Sequence, residues 1–152
     1  MTDKPTQRLI HYLKSAWYWR MKMDKLSDEI KKLRSQAEKS TTSYQDAPVF
    51  GGYQDHRQDV IADMVDKQEQ YRNALEECRK RLSEIQMLID NLESYQERIV
   101  LEFRYIYFDE WMDIAIRLNY SIQNITKIHG RAVSHLLDIH DKIVANGGKR
   151  LF

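Results

Sequence analysis

The sequence is poor in the residues that punctuate or staple a fold. It holds one cysteine, two prolines and five glycines in 152 residues. A single cysteine excludes an intrachain disulfide framework. So few turn formers argue against a many-stranded β-protein, which needs a break at the end of every short strand. No apolar run approaches the length of a membrane span. The first twenty residues, MTDKPTQRLIHYLKSAWYWR, lack the uninterrupted apolar stretch of a secretory signal. Charge of one sign is also missing, because the chain as a whole carries only +1. The expectation is a cytoplasmic, all-α protein that makes no use of a membrane. Any contact with nucleic acid must then come from where the charge sits.

Chemistry-bearing constellations are scarce too. The five histidines, at 11, 56, 129, 135 and 140, include no pair at the i, i+4 spacing of a helical metal site, and Cys78 has no second cysteine. Phe50-Gly51-Gly52 is followed by no phosphate-cradling motif. No Ser-His-Asp or Cys-His arrangement can be drawn. The expectation is a non-enzyme with no metal and no cofactor. Cys78 reads as a small buried hydrophobe, and His129 reads either as a satisfied residue or as a phosphate contact.

What is present is heptad text and blocked charge. Residues 1–40 carry ten Lys/Arg against five Asp/Glu, while residues 54–97 carry six against eleven. In the basic block Leu9, Tyr12, Ala16, Trp19, Met23, Leu26, Ile30, Leu33 and Ala37 alternate by threes and fours. In the acidic block Ile61, Met64, Gln68, Tyr71, Leu75, Cys78, Leu82, Ile85, Ile89 and Leu92 do the same. Sustained heptads of this kind define coiled-coil seams. Gln68 is the polar seam position, suited to setting register or to a solvated layer. Between the blocks, a Ser/Thr cluster, Pro48 and Gly51-Gly52 break the helix. The predicted architecture is a long antiparallel helical hairpin over residues 1–94, with helices at about 6–40 and 57–94 and a loop at 41–56. The seams pair either within the chain or between the chains of a homodimer. Opposite charge blocks favour pairing within the chain. Trp17, Tyr18 and Trp19 occupy more than one helical face, so part of this surface is expected to meet something else.

The text changes at Tyr95. Three helices are predicted within residues 95–143, followed by a flexible tail at 144–152. The first covers about Glu97–Tyr105. The second runs from Glu110 to Leu118, with Asp109 as its N-cap, and buries Trp111, Ile114, Ala115 and Leu118. Asn119-Tyr120 forms a turn. Ser121 caps the third helix, whose stripe is Ile125, Ile128, Ala132 and Leu136. A short helix, a tight turn and a longer capped helix make a helix-turn-helix pattern. From Ile114 to Leu137 there is no acid, while Arg117, Lys127 and Arg131 are present. Acids are excluded where phosphate would approach. Gln123, Asn124 and Lys127, with Ile122 and Thr126 for thymine methyls, are therefore the candidate base readers. Arg117, Ser121 and Arg131 are the candidate phosphate contacts.

The stretch RIVLEFRYIYFDEWMDIAIRLNYSIQNITKIHGRAVSHL, from Arg98 to Leu136, resembles the region-4 helix-turn-helix of sigma-70-type factors. It is more similar still to the phage-encoded, sigma-like late transcription regulators of the ArpU-like and related groups. The shared pattern is L-x-x-R-Y-I, then W-x-x-I-A-x-x-L-x-Y-S, then I-x-x-I-H-G-R-A-V-x-x-L. The resemblance implies a regulator of phage or prophage genes that binds double-stranded DNA and acts with the RNA polymerase of a bacterial host. It departs from the pattern at Asn119, where glycine is usual, and at Ile122 and Thr126, where arginine or another polar group is frequent. The usual promoter contacts therefore do not carry over residue by residue, and no segment resembles a −10-reading region. Two alternatives stand beside this reading. One is an interaction module that grips polymerase or another regulator without touching DNA. The other is a phage DNA-packaging subunit.

Overall fold

A computed structural model describes residues 3–42 and 52–152. The chain is all-α: five α-helices and one π-helical turn, with no strand among the described residues. Helix α1 spans Lys4–Thr42 and α2 spans Gly52–Asp90. The short α3 covers Tyr95–Leu101 and passes into a π-helix at Glu102–Ile106. Then come α4, Trp111–Leu118, and α5, Ile122–Ala145. The middle of the predicted loop, residues 43–51, lies outside the described residues.

Local chemistry explains most of the helix ends. Asp3 Oδ1 accepts a hydrogen bond from the Thr6 amide at 3.1 Å, and this bond holds the Asp3 carboxyl below its usual range. Pro5 sits in the first turn, where a missing N–H costs nothing. Helix α3 starts earlier than predicted. Ser94 is its N-cap, with Oγ accepting from the Glu97 amide at 3.4 Å. Ser94-x-x-Glu97 is a capping-box spacing, and that signal marks the true start. The Glu97 carboxylate itself turns to His135 Nδ1, 2.8 Å away.

The contacts divide the chain into two compact units, Met1–Tyr18 with Cys78–Phe152, and Trp19–Glu77. This division differs from the boundary expected at residue 94. In the first unit the α1 seam Leu9-Tyr12-Ala16, the α2 residues Ile85 and Ile89, and Leu92 just past the end of α2 are buried as expected. Leu13 and Leu88, which lie beside the heptad seams, are also fully buried. They share one core with Leu101 and Tyr105 and with Ala132, Val133 and Leu136 of α5. Tyr12 donates its hydroxyl to Glu84 Oε2 at 2.5 Å. Burial first, and the carboxylate second, hold the phenol above its usual range. Residues 144–152, expected as a flexible tail, are partly tied down. The Leu151 amide donates to His140 Nε2 at 3.2 Å, and the Phe152 ring stacks on the buried His140 at 4.1 Å. Gly147 and Gly148 make this reversal through a Schellman end, with amides bonded to the Val144 and Ile143 carbonyls.

In the second unit Met23 and Leu26 of α1 are buried with Val60 and Ala74 of α2. Here the α2 seam is corrected by one residue: Val60 and Ala74 face inward, while Ile61 is exposed and Leu75 only half-buried. Gln68, the predicted polar seam residue, is half-buried, and its neighbour Lys67 pairs with Glu29 at 3.2 Å.

Candidate nucleic-acid interface

Helices α4 and α5 are joined by Asn119, Tyr120 and Ser121. Asn119 takes the left-handed conformation (φ 56°, ψ 44°). Its amide bonds to the Ile116 carbonyl and that of Tyr120 to the Ala115 carbonyl, a Schellman close to α4. Asparagine reaches this conformation more readily than most side chains, so it serves where glycine is the usual choice. Ser121 then caps α5, with Oγ accepting from the Asn124 amide at 3.1 Å. The turn is held from below by a small core of Val100, Ile114, Ala115, Ile125 and Ile128, packed with Phe103, Trp111, Leu118 and Tyr120.

The face of α5 opposite this core is open. Ser121, Ile122, Gln123, Asn124, Thr126, Lys127, Gly130 and Arg131 are all exposed, whereas Ile125, Ile128 and Ala132 are buried. The structure thus brings all five proposed base readers onto the first two turns of one helix. The Thr126 hydroxyl donates back to the Ile122 carbonyl at 2.9 Å. With its hydroxyl proton committed, Thr126 has its methyl and an oxygen lone pair left for an external contact.

Arg117, proposed as a phosphate contact, is half-exposed but already engaged. Its Nη1 lies 3.0 Å from Asp109 Oδ2, and its guanidinium covers the Phe103 ring at 4.9 Å. The contact with Asp109 is an ion pair, since Oδ2 accepts no well-aligned hydrogen bond. Asp109 is accordingly not the N-cap that the sequence suggested. That position belongs to Glu110, which makes no side-chain capping bond. The carboxylate at 109 is drawn away by the cation one helix length further on.

Sequence reasoning missed the layer beneath the open face. His129 is largely buried, edge-on to Trp111 at 4.9 Å, with Nε2 2.8 Å from the Tyr105 hydroxyl. Burial first, then the charges of Arg104 and Lys14, push its pKa down to about 4. Burial likewise pushes the Tyr105 phenol up to about 12. Both shifts favour the neutral imidazole and the neutral phenol, and with its Nε2 bonded to the Tyr105 hydroxyl and its ring against Trp111, His129 reads as a satisfied packing residue. Arg104 covers Trp111 at 4.7 Å and donates to the Asp109 carbonyl at 3.0 Å. It leaves from the π-helix, where the Tyr107 amide bonds to the Glu102 carbonyl. Phe108 follows at φ 63°, a costly conformation for a bulky side chain. The extra π residue and this left-handed step redirect the chain from α3 into α4. The aromatic ladder Phe103, Tyr105 and Trp111 was the visible signal, but its pairing with His129 needs the fold.

A second open surface lies on α1. Trp17 and Tyr18 are exposed, packed edge-on at 5.4 Å. With Lys14, Arg104 and Phe108 they line a groove of about 240 Å³. Trp19 is half-buried instead, with Lys22 over its ring at 5.3 Å.

An all-α chain whose last two helices meet at a capped tight turn, with one polar helical face left open, is the class of protein that these features define. The chain belongs to a family described as proteins of unknown function (DUF1492), whose model matches residues 38–137. No curated protein and no solved structure matches it. The matched stretch takes in α2, α3, α4 and α5 as far as Leu137. No helix among the described residues is long and apolar enough to cross a membrane.

Proposed function

We propose that this protein is a DNA-binding transcriptional regulator of phage or prophage genes. In this reading α4 and α5 form a helix-turn-helix that enters the major groove of duplex DNA, and the protein acts together with the RNA polymerase of a bacterial host. One observation carries it: the capped N-terminal half of α5 presents Gln123, Asn124, Thr126 and Lys127 on an exposed, acid-free face. Gln and Asn make paired hydrogen bonds to adenine, and Ile122 with the Thr126 methyl suits thymine. Lys127 reads bases beside them, Arg131 and the Ser121 hydroxyl face phosphate, and Arg117 joins these by exchanging Asp109 for a phosphate oxygen.

Few cations mean modest affinity with a shallow salt slope, about −2 in log K against log salt for two cationic phosphate contacts. A dimer or a polymerase partner would raise occupancy. The test is selection from a pool of randomised duplexes at low salt, followed by genome-wide occupancy after prophage induction. An enriched motif, relaxed by Gln123→Ala with Asn124→Ala, is expected. Unchanged selectivity in that double variant would remove the reading face from consideration.

A second reading is favoured by the outward side of α4, where Met112 and Ile116 are 59% and 72% exposed. Apolar side chains one turn apart on a polar surface suit a protein partner. Under this reading the module docks on polymerase or another regulator without touching DNA. Copurification with polymerase in the absence of any duplex selection would favour it.

A further inference from the structure

Gly147 and Gly148 are accounted for within the chain. Gly147 takes φ +87°, and a Cβ on Gly148 would lie 2.7 Å from the Ile143 carbonyl oxygen. Gly130 is different. It stands in the interior of the 24-residue α5, outside the left-handed region, and a Cβ added there would meet nothing within 4 Å among the described residues. Neither backbone conformation nor packing inside the protein calls for glycine at 130. Alanine would make the helix more stable, because glycine loses more backbone freedom on folding.

The position has a definite place on the helix. At 3.6 residues per turn, Gln123, Lys127, Gly130 and Ser134 fall on one strip, opposite the buried Ile125, Ile128, Ala132 and Leu136. Gly130 lies about 10 Å along the axis from Gln123 at 1.5 Å per residue. The major groove of B-DNA is about 12 Å wide. A helix that inserts its N-terminal turns meets the groove wall within that span. Lys127 lies one turn before the bare backbone and Arg131 directly after it, both toward the same side of the helix.

We propose that Gly130 is the point of closest approach between α5 and the sugar-phosphate wall of the groove. Without a side chain, the helix backbone comes into van der Waals contact with the wall. That depth brings Arg131 to a phosphate oxygen and lets Gln123 and Lys127 reach base edges. A methyl group would hold the helix off by on the order of 1 Å, more than the spread of useful hydrogen-bond lengths. Gly130 is a positioning residue, kept at the expense of helix stability. The inference rests on the DNA reading proposed above.

The experiment uses the full chain, wild type beside Gly130→Ala and Gly130→Leu. The probe is a duplex that the wild type selects from a randomised pool. Gly130→Ala is expected to melt about 2–4 °C higher than wild type and to bind the selected duplex about tenfold more weakly, the equivalent of 1.4 kcal/mol. Gly130→Leu is expected to bind more weakly still while melting no lower than wild type. Wild-type affinity in both variants would overturn the proposal and leave the DNA reading intact. A lowered melting temperature in Gly130→Ala would overturn it too, by exposing an internal reason for the glycine. If the wild type selects no duplex, the DNA reading itself fails and takes this inference with it.

Discussion

The two units are built from the same heptad text, yet they differ in depth of burial. In the unit of Met1–Tyr18 and Cys78–Phe152, Leu9, Leu13, Ile85, Leu88 and Ile89 retain no accessible surface. In Trp19–Glu77 the seam residues Ile30, Leu33 and Tyr71 are half-buried, and Ile61 is open to solvent. A heptad says which face of a helix turns inward. It does not say whether one stripe or two will be covered. Two paired helices cover a single stripe each, whereas the first unit adds α3 and α5, and the residues flanking the seam are buried as well.

The largest expected effect would break this comparison if it failed. Leu88→Ala should cost about 3–5 kcal/mol in denaturant unfolding, because a fully enclosed leucine leaves a cavity. Leu26→Ala in the shallower unit should cost about 2 kcal/mol, nearer the transfer term alone. Equal losses would mean that the two units are equally well packed.

The next concerns a group confined to the deeper unit. The pKa of His129 is about 4 when folded, against an ordinary 6.5. As pH falls, the unfolded chain takes the proton first. The stabilisation is therefore fully present above pH 6.5 and is lost as pH falls from there toward 4, by roughly 3 kcal/mol in all. Melting curves across that window should show the loss, and His129→Gln should flatten it. An unchanged slope in the variant would assign the effect to another group.

Smaller still is the cap on α5. Ser121→Ala should cost about 1 kcal/mol, and Ser121→Asp should restore most of it. Hydrogen exchange should localise the loss to the first turn of α5. Loss spread evenly over the chain would show that the cap does not act locally. The smallest effect belongs to the shallower unit. Lys67 and Glu29, both partly exposed and 3.2 Å apart, should couple by about 0.2–1 kcal/mol in a double-mutant cycle, and high salt should erase it. A larger, salt-resistant coupling would mean that this unit is drier than its exposed seam indicates.

Legibility followed the range of the interactions. The stripe of α5, the left-handed Asn119 and the Ser121 cap could all be read directly, because each depends on neighbours within about four residues. The start of α3 was equally local, in Ser94 and Glu97, but was outweighed by the apolar spacing that follows. Asp109 was misassigned because a capping residue and an ion-pair partner look alike until Arg117 is brought to 3.0 Å. The candidate reading face was legible as a gap in acidic residues. The Tyr105, Trp111 and His129 layer beneath it was not, since it joins residues up to 24 positions apart.

By itself, then, the order of residues determined that this protein is helical, where most helices begin and end, and which face of α5 carries no acid. Those are consequences of backbone propensity, capping and a 3.6-residue period, all of which act along the chain. Only the tertiary structure decided that Leu13 and Leu88 are core, that His129 packs against Tyr105 and Trp111, that Phe152 stacks on His140, and that no described residue stands over Gly130. Each of these depends on which distant segment covers a side chain, and burial of that kind arises between elements, not within them.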